Sequence, residues 1–332
     1  MNKKGLKVLL IGLGHMGEFH LKKILSTPQV SKIVGVDSSK ERLNIIKNTY
    51  PIETSENYET LLKTKPFDVA FIATPSVTHF KIAKACLSFG LDIFIEKPAV
   101  TNMSEAEELL RLSKKNDCLI QVGFLERFNP TFKKCYEFFK NPLFFEAHRL
   151  GTLKRRSLDI DVVHDLMVHD LDLILAINPY PVESVDALGV SIISHQVDLA
   201  NARIHFSNSS IANLTASRVS MKEMRKMRLF QIGAYISLDF VEKSAQVVRL
   251  DKKEGFKLEN IVSEGEPDAL QSQTKAFFEA VQNRTQPQVT MYDAMRTMEV
   301  IDHINSSIAN NLKKIKKANK LSNPNEVLFS GL

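Results

Sequence analysis

Lys7-Val8-Leu9-Leu10-Ile11-Gly12-Leu13-Gly14-His15-Met16-Gly17 is the stretch that decides the fold of the first third of the chain. An apolar run of this kind suits a parallel strand buried on both faces. It leads straight into three glycines spaced as G-x-G-x-x-G, and helical sequence follows from Glu18 to Leu25. Each glycine has its own task in a dinucleotide-binding turn. Gly12 permits the tight turn, Gly14 lets a pyrophosphate approach the backbone beside His15 and Met16, and Gly17 lets the helix pack on the strand. The helix N-terminus then offers unpaired N–H groups and a partial positive charge to phosphate.

Working outward, the next apolar strand, Ile33-Val34-Gly35-Val36, ends in Asp37, twenty residues after Gly17. A carboxylate there accepts the ribose hydroxyls of NAD and repels the 2′-phosphate of NADP. Ser38-Ser39 follow it; Arg42 lies further on and could soften the preference. The cofactor expected is NAD, with no metal. Strand and helix patterns then alternate: Asp68–Ala73, His79–Phe89, Asp92–Ile95, Glu105–Lys115 and Leu119–Val122. Such alternation means a doubly wound parallel sheet, so the expectation is an α/β Rossmann domain over residues 1–124. Its cofactor residues should lie at the carboxyl ends of the strands: Gly12, Gly14, His15, Met16 and Gly17; Asp37, Ser38 and Arg42; Ala73, Thr74, Pro75 and His79; and Glu96-Lys97.

Beyond residue 124 the pattern turns to longer strands. Ala202, Ile204 and Phe206 alternate with Arg203 and His205, as in a half-buried antiparallel strand. Ser210–Val219, Leu229–Phe240 and Ala245–Leu250 read as further strands, with Gly233 as a bulge. Helices return at about 267–283 and 291–313. Residues 125–332 are therefore expected to form an α+β substrate-binding and oligomerisation domain around a large, mostly antiparallel open sheet.

At 332 residues, two domains are the natural division. The net charge of +6 is modest, and part of it lies in Lys313, Lys314, Lys316, Lys317 and Lys320, the pattern of a solvated helix end. No reading helix or stacking aromatics accompany the basic stretches, which argues against a nucleic-acid partner. Cys86, Cys118 and Cys135 lack metal-ligand spacing and read as reduced thiols. No stretch approaches ~18 consecutive apolar residues, so neither an export signal nor a membrane span is expected, and the protein reads as cytoplasmic.

Glu96-Lys97-Pro98 after a Rossmann strand, together with His164-Asp165-Leu166-Met167-Val168-His169-Asp170-Leu171-Asp172, resembles the glucose–fructose oxidoreductase and inositol dehydrogenase family, Gfo/Idh/MocA. The resemblance spans essentially the whole chain. It implies that Lys97, Asp165 and His169 meet a sugar or polyol hydroxyl at the nicotinamide: His169 as general base, Asp165 orienting it, Lys97 bonding the reacting oxygen. Helical geometry agrees, because at ~100° per residue Asp165, His169 and Asp172 share a narrow stripe on an otherwise apolar helix. His164 and Asp170 point off that stripe and read as structural.

Three segments are similar to bacterial UDP-N-acetylglucosamine 3-dehydrogenases within this family: residues 122–130, residues 156–163, and the pair 212–218 with 224–230. That similarity implies oxidation of the C3 hydroxyl of UDP-N-acetylglucosamine, with the 3-keto product passing to a PLP aminotransferase for 2,3-diamino sugar lipid A. It also implies a homo-oligomer, dimer or tetramer, formed through the C-terminal sheet. Phe124 departs from the pattern, where a histidine is expected after Val122-Gly123. Arg218, Arg225 and Arg228 could hold a diphosphate as guanidinium forks, with Arg127, Asn129 and Arg156 as further substrate residues. Two alternatives stay open: a dehydrogenase of a free sugar or polyol, and a non-catalytic NAD-binding sensor of the same fold.

Overall fold

The computed structural model describes residues 5–152, 160–251 and 255–319. The chain divides into two compact units, residues 1–128 with 267–295, and residues 129–266 with 296–332. The chain first passes from one unit to the other after Phe128. Residues 267–295 return to the first unit.

The first unit alternates β1 (Leu6–Ile11), α1 (His15–Leu25), β2 (Val30–Val36), α2 (Lys40–Thr49), β3 (Glu53–Ser55), α3 (Tyr58–Thr64), β4 (Val69–Ile72), α4 (His79–Ser88), β5 (Asp92–Ile95), α5 (Met103–Asn116) and β6 (Ile120–Val122). The strands pair in the order β3-β2-β1-β4-β5-β6, all parallel. The order reverses beside β1, which is where a doubly wound sheet opens a crevice for a ligand. Residues of β4, β5 and β6 are buried without exception, as helices on both faces require.

A segment from the far end of the sequence completes this core. In helix α8 of the full chain (Ala269–Asn283), Phe277, Phe278 and Val281 join Val8, Leu10, Phe71 and Phe94 in one buried cluster. Phe71 stacks on Phe94 at 4.9 Å, and Phe277 meets both rings edge-on. Arg284, the C-cap of this helix, forms an ion pair with Asp92 at 2.6 Å.

The second unit contains α6 (Pro130–Cys135), β7 (Phe144–Leu150), α7 (Val168–Ile177), β8 (Val182–Val190), β9 (Leu199–Phe206), β10 (Ile211–Ser217), β11 (Met224–Gln231), β12 (Ala234–Asp239), β13 (Ser244–Asp251) and β14 (Gly255–Val262). Helix α9 (Met291–Asn319) starts in the first unit and supplies most of its length to the second. The eight strands pair as β14-β13-β12-β11-β7-β10-β9-β8, antiparallel except for β7 with β10. Residues 229–240, expected as one strand with a bulge, form a hairpin instead. Gln231 pairs with Ala234, and Gly233 at φ +77° makes the turn between them.

One face of this sheet is a core of Ala147, Ala202, Ile204, Leu214, Met227, Leu229, Ile236, Leu238 and Val247. The other face carries a row of paired residues, Phe144, Phe230, Tyr235, Val248 and Leu258. Phe144 and Phe230 lie 5.5 Å apart, and Phe230 and Tyr235 5.0 Å. Leu250, Phe256 and Val262 extend this row as exposed apolar side chains.

Candidate active site

In the first unit, the glycine loop runs from the end of β1 into α1. Gly12 has φ +90°, and a Cβ there would meet the Ala73 backbone at 2.6 Å. At Gly17 a Cβ would lie 1.9 Å from the Gly12 carbonyl oxygen, so only glycine lets the helix sit this close to the turn. Gly14 differs, because a Cβ there would meet nothing within 4 Å. It serves as the N-cap of α1 with no side chain to close the first turn. That open approach to the helix amides, with His15 and Met16 exposed beside it, fits a dinucleotide pyrophosphate.

Asp37 is held in place from two sides. Its carboxylate accepts the Leu13 N–H at 2.8 Å and the Ser39 N–H at 2.9 Å. Ser38 is exposed at the same corner, and the Ser39 hydroxyl caps α2 by accepting the Arg42 N–H. The Arg42 side chain is turned toward the glycine loop. Its Nε donates to the Leu13 carbonyl and its Nη2 to Glu18, each at 2.5 Å.

At the ends of β4 and β5 the structure corrects the expectation for His79. That ring is buried, with Nδ1 2.8 Å from the Pro98 carbonyl oxygen and Nε2 2.8 Å from the Thr74 carbonyl oxygen. Both nitrogens are engaged on backbone, so His79 ties two loops together and does not present a nitrogen to the cofactor. Ala73, Thr74 and Lys97 are partly exposed on those loops, Pro75 is exposed, and the Lys97–Pro98 peptide is cis.

Glu96 faces inward. Its Oε1 lies 2.6 Å from Nε2 of His20, which is wholly buried, and its Oε2 accepts the Lys97 N–H at 3.2 Å. A Cβ on Gly123 would come within 2.8 Å of that carboxylate. His20 was not among the residues expected from sequence. Its signal is a histidine on the same buried stripe of α1 as Gly17, Leu21 and Ile24, where an imidazole demands a partner. Phe124, in place of the expected histidine, is buried. Arg127 pairs with Asp293 at 3.1 Å.

In the second unit the motif helix is not regular throughout. Val163–Met167 form a π-helical turn, with the Val168 N–H reaching back to the Val163 carbonyl, before α7 begins. The even 100° spacing expected for Asp165, His169 and Asp172 is therefore interrupted, a distortion that recurs at functional sites. Asp165 and His169 are partly exposed, whereas Asp172 is fully buried. Arg149 grips Asp170 with two hydrogen bonds of 2.9 and 2.8 Å, both side chains being buried. His164 pairs with Asp161 at 2.7 Å. Burial raises the Asp161 carboxyl, but hydrogen bonds from His164 outweigh it and hold the group below its ordinary value. Arg296 of α9 donates to the carbonyls of Leu175, Asn178 and Tyr180, closing the C-terminal end of α7.

The expected diphosphate cluster separates. Arg218 is buried, donating to the Ile160 carbonyl and lying 3.9 Å from Asp198. Arg225 is exposed, opposite Arg149 in strand register, and pairs with Glu223. Arg228 belongs to the opposite face of the sheet, where it pairs with Glu146 at 2.9 Å. The three do not form one cluster, because residues three apart on a strand point to opposite faces. Asn129 caps α6 by accepting the Thr131 N–H at 3.0 Å. Arg156 lies outside the described residues.

Among the described residues no group of three or more His, Cys, Asp or Glu side chains is placed to hold a metal ion. Likewise no helix there is long and apolar enough to cross a membrane. All three cysteines are buried and free, and burial pushes their thiols up to about 11 or 12.

Glycine loop, a carboxylate at the end of β2 and strand order are the features of a nicotinamide-dependent oxidoreductase. Residues 6–124 match the Gfo/Idh/MocA model, described as an oxidoreductase family with an NAD-binding Rossmann fold. The chain is 34% identical over 240 residues to a UDP-N-acetylglucosamine 3-dehydrogenase from Acidithiobacillus ferrooxidans, covering 72% of this chain and 75% of the relative. The chain belongs to the Gfo/Idh/MocA family. A solved structure of UDP-N-acetylglucosamine 3-dehydrogenase from the same organism superimposes with a TM-score of 0.85 at 28% identity, covering 92% of this chain and 98% of that one. The fold is also that of scyllo-inositol dehydrogenase from Lactobacillus casei, solved with NAD(H) and scyllo-inositol (TM-score 0.78, 17% identity, 93% and 98% covered).

Proposed function

We propose that this enzyme oxidises the C3 hydroxyl of UDP-N-acetylglucosamine, using NAD, to a 3-keto sugar nucleotide. The observation that carries the reading is the 34% identity over 240 residues, a match much longer than the Rossmann segment alone. Bound NAD supplies the hydride acceptor, C4 of its nicotinamide. The glycine loop and the α1 N-terminus bind its pyrophosphate, and Asp37 its adenosine ribose. His169 takes the hydroxyl proton, and Asp165 orients the imidazole and steadies its charged form. Lys97 hydrogen-bonds the reacting oxygen and favours developing alkoxide. Glu96, held by His20, fixes the turn that carries Lys97.

The 3-keto product suits a PLP aminotransferase, which would convert it to the amine on a route to 2,3-diamino sugar lipid A in the cytoplasm. The apolar row Phe144, Phe230, Tyr235, Val248 and Leu258 supports a homo-oligomer, dimer or tetramer, formed through the open sheet face. A second reading, oxidation of a free polyol, is favoured by relatives named as inositol 2-dehydrogenases, which match 87–88% of the chain at 22–25% identity.

The test is NADH absorbance on mixing the protein with NAD and UDP-N-acetylglucosamine, with the aminotransferase and its amino donor drawing off the ketone. A rise that needs both UDP-sugar and NAD is the expected result. Turnover of myo- or scyllo-inositol without response to the UDP-sugar would replace it with the second reading.

A further inference from the structure

Glu18 sits in the first turn of α1, one residue past the last glycine of the loop, and no role in catalysis falls to it. It is nevertheless the hub of a four-residue network. Its Oε2 receives the Arg42 guanidinium at 2.5 Å. Its Oε1 accepts the Tyr50 hydroxyl at 2.7 Å and lies 3.2 Å from the Lys22 ammonium. Arg42 spends its Nε on the Leu13 carbonyl of the glycine loop. The guanidinium is thereby turned inward and charge-paired, with only a quarter of its side chain exposed.

Arg42 belongs to the corner of the molecule that reads the ribose. It lies five residues after Asp37, and its own N–H is bonded to Ser39. An arginine near this carboxylate is the usual means of accepting a 2′-phosphate, because the guanidinium fork matches phosphate oxygens. The other cation at the corner, Lys40, is exposed and stands 3.8 Å from Glu56. Asp37 alone disfavours a 2′-phosphate by repulsion, but a free guanidinium beside it would offset that repulsion.

We propose that Glu18 is a cofactor-discriminating residue: by pinning and neutralising Arg42 against the glycine loop, it withholds from the ribose corner the guanidinium that would accept the 2′-phosphate of NADP. It acts through Arg42 and is a positioning residue. The proposal rests on the assignment of the NAD site to Gly12–Gly17 and Asp37. The Arg42 and Tyr50 hydrogen bonds hold the Glu18 carboxyl down at about 2, so it stays ionised across the working pH range.

Calorimetric titration of the full chain with NAD and with NADP tests it, using wild type, Glu18→Gln, Arg42→Met and the double variant. Glu18→Gln should improve NADP binding relative to NAD by about ten-fold at low salt, the worth of one charge-assisted contact. Salt should erode that gain, and the double variant should lose it. Arg42→Met alone should leave the NAD-to-NADP ratio of wild type, since the guanidinium is already withheld. An unchanged ratio in Glu18→Gln, or an equal gain in the double variant, would overturn the proposal. So would a marked loss of NADP binding in Arg42→Met, which stays informative even where Glu18→Gln does not fold. Absence of NAD binding by wild type would instead remove the cofactor-site assignment, and the proposal with it.

Discussion

Both sheets present buried strands, but they put polar side chains in different places. In the parallel sheet of the first unit, β4 and β5 have no exposed face, and function is pushed to the loops beyond their ends. In β9 and β10 of the eight-stranded sheet, buried residues alternate with more exposed ones, so polar groups are spread along the strands. A charged residue in the first unit is informative because of the strand it follows. In the second unit it is informative only once its face is known, as Arg225 and Arg228 demonstrate.

The sharpest way to break this contrast is at the residues proposed to react. Lys97→Met, at a strand end, and His169→Ala, on the motif helix, should each lower turnover by about 10²–10⁴-fold while NAD still binds. Steady-state rates beside NAD titrations measure this; near-normal turnover in either folded variant would remove that residue from the chemistry. Next comes the meaning of a face. Arg149→Met leaves the buried Asp170 charge without its bidentate partner and should cost about 3–5 kcal/mol. Arg228→Met, on the open face with Glu146, should cost no more than about 1 kcal/mol in the unassociated chain. Denaturant midpoints compare the two, and equal losses would mean that the open face is as closed as the core.

A smaller effect is expected at the apolar row. Tyr235→Lys puts a charge in the middle of the apolar row, so it should dissociate the proposed oligomer in light scattering and leave NAD affinity within about two-fold. The smallest belongs to Glu18. Its carboxyl drops from an ordinary 4.5 to about 2 in the folded protein, so its contribution is complete above about pH 4.5 and is lost as pH falls through 2. The melting temperatures of wild type and Glu18→Gln should therefore differ by a constant few degrees, no more than about 4 °C, near neutrality. That gap should close between pH 4.5 and 2; a gap independent of pH would mean that the carboxylate's charge contributes nothing.

The parallel sheet is legible in the sequence because a two-sided burial writes itself as unbroken apolar runs, and the Gly12–Gly17 loop punctuates them. The strand pairing of the second unit is less so. Ala202–Phe206 alternates clearly, but the hairpin at Ile232-Gly233 looks like a single interrupted strand, because both arms carry the same apolar content. Site residues divide along the same line. The positions of Asp37 and Lys97 just beyond strand ends are legible, because each closely follows an apolar run. The role of His79 is not, since whether its imidazole faces a ligand or two carbonyls depends in part on Pro98, nineteen residues further along the sequence. Nor does local spacing announce the π turn before α7, which lies against β10.

The return of residues 267–295 to the first unit has a consequence for biosynthesis. Phe277, Phe278 and Val281 belong to its core, yet they leave the ribosome only after the whole of residues 129–266. At ~5–20 residues per second, the nascent glycine loop and its sheet wait on the order of ten seconds with one flank uncovered. Through that interval Phe71 and Phe94 lack their aromatic cover, and the unit completes its core only once residues 267–295 have emerged.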